Sequence, residues 1–99
     1  MTAAPVAWVI EFRPRAAEDL RAIIDYIAQD NWKTAVAFGR TLRTRIGQLA
    51  DNPRQGTLVP PGPLRRLVVH KNYMAYYRLH EDAQRVEIIA IKHAAQRYP

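Results

Sequence analysis

The side chains best suited to chemistry are basic and aromatic, and they crowd into the C-terminal half: Arg65, Arg66, Lys71, Tyr73, Tyr76, Tyr77, Arg78, His93, Arg97 and Tyr98. Arginine pairs with phosphate or carboxylate, and tyrosine and histidine stack on bases or act as acid and base. Such a set serves either a metal-free ribonuclease, with a base, an acid and a cation beside the phosphate, or a surface that docks an acidic partner. Tyr77 is in phase with Leu79 and reads as core, whereas Tyr73 fits core or site equally well. Other chemistries find no support. There is no Gly-rich phosphate loop, no G-x-S-x-G and no H-E-x-x-H. His70, His80 and His93 lack metal-ligand spacing, and the chain has no cysteine, which removes thiolate nucleophiles, zinc–thiolate sites and disulfide scaffolds. No cofactor and no metal are expected.

Charge sharpens this. Fifteen Lys and Arg against nine Asp and Glu give +6. From Asn52 to His80 stand Arg54, Arg65, Arg66, Lys71 and Arg78 with no acidic residue, so that window supplies +5 of the total. A one-sided block of this kind is a footprint for a polyanion or an acidic protein. The start, MTAAPVAWVIEF, lacks the basic and long apolar regions of a signal peptide, and no stretch is apolar for the length of a membrane span, so the expected location is the cytoplasm.

The elements that must carry these residues read as one domain over 1–99. Ala7 to Phe12 is a strand pattern. Pro14 suits the first turn of a helix, with Glu18 and Asp19 near its positive end. Ala17, Leu20, Ile24, Ile27 and Ala28, with Ile23 alongside, trace a helical stripe to about Asp30, and Glu18, Asp19 and Asp25 fall on its solvated side. A second stripe, Ala35, Phe38, Leu42, Ile46 and Leu49, predicts a helix to about Asp51, folded back on the first. NPRQGTLVPPGP reads as loop. Leu64 to Val69, Tyr73 to Leu79 and Arg85 to Lys92 then read as antiparallel strands joined by short turns. Tyr73, Ala75, Tyr77 and Leu79 share one face of the middle strand, and Met74, Tyr76 and Arg78 the other. In the last strand strict alternation sets Ile89 and Ile91 against Ile88 and Ala90. The fold class is α+β, in the order β-α-α-β-β-β, with a helical hairpin on one face of a small, mainly antiparallel sheet. The second apolar face of the sheet exceeds what a two-layer domain needs and is expected to be covered by a partner.

Four pieces together carry a resemblance: Ala17-x-Asp19-Leu20 with Tyr26, Leu49-x-x-Asn52-Pro53-x-x-Gly56, Tyr73-x-x-x-Tyr77-Arg78, and Ile91-x-His93 with the closing Ala-Ala-Gln-x-Tyr-Pro. In their order and spacing the chain, from about residue 9 to its end, resembles the ParE branch of the RelE/ParE superfamily of type II toxin–antitoxin toxins. The resemblance implies a growth-inhibiting toxin, of a kind used in plasmid stabilisation, held in a hetero-oligomer by a cognate antitoxin with an acidic, disordered C-terminal segment. ParE-like members act on DNA gyrase; RelE-like members cleave mRNA on the ribosome. Where RelE-like nucleases tend to carry an arginine after the aromatic of the third strand, this chain has Met74, which cannot neutralise a phosphate. The gyrase branch is therefore expected, without enzymatic chemistry, and the ribonuclease is the alternative. Were it a ribonuclease, His93, Tyr98 or Tyr73 would supply base and acid, with Arg65, Arg66 or Arg78 on the phosphate. Lys92, His93, Arg97 and Tyr98 are the candidates for target contact; Arg65, Arg66, Arg78, Met74 and Tyr76 are the candidates for antitoxin contact.

Overall fold

The computed structural model describes residues 7–96. Two helices, α1 (Pro14–Asp30) and α2 (Trp32–Gly47), pack on a sheet of five strands, β1 (Val9–Phe12), β2 (Thr57–Leu58), β3 (Arg65–His70), β4 (Tyr73–His80) and β5 (Arg85–His93), in the order β1-β5-β4-β3-β2. The pairs β5–β4, β4–β3 and β3–β2 are antiparallel. β1 lies parallel to β5, because the helical hairpin carries the chain from one to the other end of the sheet. The expected α+β order holds, with one addition: the segment expected to be loop contributes the two-residue β2 at the sheet edge.

Each boundary has a local cause. Pro14 opens α1 without a side-chain cap on Arg13. Asn31 alone turns the hairpin: its N–H bonds Ile27 O at 3.0 Å, ending α1, while its side chain accepts from Thr34 N at 3.1 Å, starting α2. Gly39 lets the helices meet, since a Cβ there would stand 3.3 Å from Ile24 Cδ1. α2 tightens into a 3-10 turn at Gln48–Ala50, and there Leu49 reaches the core.

The core lies between the hairpin and the sheet, with Phe38, Leu42, Ile46 and Leu49 against Leu67, Val69, Ala75, Tyr77, Val86, Ile88 and Ile91. Burying these side chains supplies most of the stability of such a fold. Ala16 rather than Ala17 is the buried alanine of α1. Strict alternation fails in β5. Tyr76 pairs with Ala90 but Tyr77 pairs with Ile88, so a bulge at Ile89 resets the phase and puts both Ile88 and Ile91 in the core. Tyr76 and Ala90 are buried outside that core, which leaves Val68, half exposed, as the open apolar residue beside them.

Two helix side chains close gaps at strand edges. β1 ends at Phe12, opposite Ile88, so the N–H of Ile91 has no strand to meet; Asp19 accepts it at 3.0 Å and pairs with Lys92 at 3.5 Å. Asp19 is thus not on the solvated side of α1 as its position in the stripe suggested: its side chain is only 14 % exposed. On the other side, beyond β2, the carbonyl of Val68 accepts from Arg45 Nε at 3.3 Å.

Candidate functional site

The loop between α2 and β3 shows what the spacing Asn52-Pro53-x-x-Gly56 is for. The buried Tyr77 hydroxyl donates to Pro53 O at 2.8 Å and accepts from Gly56 N at 2.8 Å. A Cβ on Gly56 would come within 2.6 Å of that hydroxyl and 2.8 Å of Arg66 O, so only glycine fits. Burial raises the Tyr77 phenol above its usual pKa, against the opposing pull of the Gly56 bond and of Arg65, and the phenol keeps the proton that it donates. Arg65 belongs to the same knot, its guanidinium 2.8 Å from Gly56 O and 3.3 Å from Arg54 O. Arg54 leans over Trp8, 5.7 Å from the ring, and pairs with Glu81.

Opposite the helices, the surface of β1, β5 and β4 centres on Glu87. Arg78 and His80 each lie 3.0 Å from its Oε1 and Arg13 lies 3.3 Å from its Oε2. The bond from His80, followed by the Arg78 bond and the charges of Arg78 and Arg13, holds the Glu87 carboxyl below the ordinary range despite desolvation. Arg85 answers Glu11 alongside at 3.4 Å. Arg78 therefore faces a carboxylate of its own chain. Arg66, exposed, sits further along the sheet between Thr57 and Tyr76, with Met74 two pairs away opposite Val68.

Tyr73 and His93 do meet. They are cross-strand partners with ring centroids 5.1 Å apart, and Tyr73 in turn meets the edge of Phe38, which also touches His70. The chain after His93 is tied for three residues: Ala95 N donates to His93 Nδ1 at 3.1 Å, and Gln96 bonds both the N–H and the carbonyl of His93 at 2.9 Å. Lys92 is held by Asp19. Arg97 and Tyr98 lie outside the described residues. Arg78 and His93 are not brought together; they register with Glu87 and Tyr73, about 17 Å apart along β4.

A further feature lies on the hairpin. Leu20, Ile23, Ile24 and Ile27 remain half exposed, and a groove of about 500 Å³ runs beside them, lined by Phe12, Ala17, Leu20, Arg21, Ile24 and Arg43. An apolar floor with an arginine on each bank suits an amphipathic segment bearing carboxylates. Arg21 and Arg43 were not singled out in the sequence because they belong to different helices and no one-dimensional pattern joins them. Glu87 was passed over likewise, as one carboxylate in an apolar strand.

The comparisons agree with this architecture. Residues 10–98 match the family described as ParE toxin of type II toxin–antitoxin system, parDE. The chain is 38 % identical to Toxin RelE2 of Caulobacter vibrioides over 82 residues, 83 % of this chain and 90 % of that protein. In fold it is similar to a chain of the chromosomal ParDE system from P. aeruginosa (TM-score 0.72, 22 % identity, 88 % of this chain and 96 % of that one). It is similar also to a chain of the intact E. coli RelBE toxin–antitoxin complex (TM-score 0.65, 17 % identity, 92 % and 100 %). On the match over residues 10–98, the chain belongs to the ParE toxin family of type II toxin–antitoxin systems.

Proposed function

We propose that this toxin acts in the cytoplasm by inhibiting DNA gyrase rather than by cutting mRNA. The observation that carries the reading is the carboxylate of Glu87 between Arg78 and His80. A phosphodiester brought to that part of the sheet meets a negative charge, and Arg78, the cation there that would stabilise its transition state, is already bonded to that carboxylate. Met74, next to Tyr73, adds no cation, and Arg65 is bonded to backbone carbonyls. Tyr73 and His93 stand together, and among the described residues no cation lies over either ring.

The antitoxin completes the reading. An acidic segment, disordered alone, folds onto the groove of the hairpin with its apolar residues on Leu20 and Ile24 and its carboxylates toward Arg21 and Arg43. Arg66, exposed on the sheet, is a further anchor for it. The purified toxin is expected to block gyrase supercoiling of relaxed plasmid or to accumulate cleaved complexes, and added antitoxin to restore activity. Unimpaired supercoiling at stoichiometric excess, together with codon-linked cuts in mRNA of induced cells, would replace this reading by the ribonuclease.

A further inference from the structure

The side of α2 turned toward the edge of β3 carries a row of hydrogen-bond donors: Arg40, Thr41, Thr44, Arg45 and Gln48 line an open cleft of about 290 Å³. The spacing places them on one helical stripe spanning about 12 Å. Arg45 is fixed in it by Val68 O at 3.3 Å and by Gln48 Oε1 at 3.0 Å. That second bond engages the oxygen of Gln48, so its amide nitrogen is the end left to donate. α2 as a whole holds Lys33, Arg40, Arg43 and Arg45 and no acidic residue, and among the described residues no carboxylate pairs with Arg40 or Arg45.

We propose that this stripe seats the phosphate backbone of duplex DNA. The lining offers cations, hydroxyls and an amide, the groups that bond phosphate oxygens. Among the described residues its lining is arginine, threonine and glutamine, whose exposed carbon is stem and methyl, whereas an acidic amphipathic peptide anchors whole apolar side chains, which the groove by Phe12, Leu20 and Ile24 supplies instead. Among the described residues no aromatic ring lines it, so none of them stacks an unpaired base there, as single-strand readers require. Backbone contact of this kind is sequence-independent and salt-sensitive. It goes beyond the gyrase reading and does not rest on it, since the contact is with DNA itself.

The test is fluorescence anisotropy of the full chain with a labelled duplex of about two helical turns, in the absence of gyrase, at salt from about 50 to 200 mM. Binding is expected at the low end. Arg40→Gln should weaken it roughly tenfold and lower the salt slope by about one. Arg40→Lys should keep most of the affinity, and Arg85→Gln, on the far face of the sheet, should leave it unchanged. If Arg40→Gln melts early, Thr44→Val takes its place in the comparison. Failure of the duplex to bind at low salt overturns the proposal, as does equal loss in the Arg40 and Arg85 variants, which would mean net charge alone. Displacement of DNA by polyglutamate at matched charge would reassign the stripe to an acidic protein.

Discussion

Tyr77 shows how much one hydroxyl can fix. It occupies the core by its ring and organises the loop from Pro53 to Gly56 by its oxygen. Tyr77→Phe keeps the ring and leaves a buried N–H and a buried carbonyl unpaired. It is expected to lower the melting temperature by roughly 5–15 °C, read by circular dichroism, because unpaired buried groups cost about 1–3 kcal/mol. A smaller shift would mean that water replaces the hydroxyl. The role of the ring was legible in the sequence, from its phase with Leu79. The role of the oxygen was not, since Tyr77 and Gly56 are 21 residues apart and only folding aligns them.

At the scale of elements, the helices and three long strands were legible because apolar spacing of 3.6 and 2 residues marks buried faces directly. What escaped were departures from period: the bulge at Ile89, which moves Ile91 onto the same face as Ile88, and the two-residue β2 hidden among prolines. The cluster on Glu87 also escaped, as it is assembled from β1–α1, β4 and β5 at once. Because its folded pKa is lowered, Glu87 stabilises the junction of these elements above the unfolded carboxylate pKa, and that contribution is lost as pH falls through the lowered value. Glu87→Gln is therefore expected to melt a few degrees below the wild type at neutral pH, with the gap closing in acid. A gap that is constant across the pH series would show that the carboxylate's charge is not what holds the strands.

For the whole molecule, the excess positive charge was legible in amount but not in placement. Arg54, Arg65 and Arg78, three of the five cations between Asn52 and His80, are engaged by partners in the same chain. α2, which no charge window distinguished, presents Lys33, Arg40 and Arg43 to solvent. Neutral folds of this size rely on shape to stay apart; here the net +6 adds a repulsion that salt removes. This gives the bond between Asp19 and Ile91 a second meaning. The stretch of β5 beyond Phe12 is an unfinished sheet margin, and an unfinished margin is a template for another chain. By occupying Ile91 N–H and placing a charge there, Asp19 acts as a guard against edge-to-edge growth. Asp19→Ala should sediment as the wild type when dilute and, in physiological salt, as progressively larger species on concentration. Identical behaviour of the two proteins across the concentration series would show that repulsion alone keeps the copies apart.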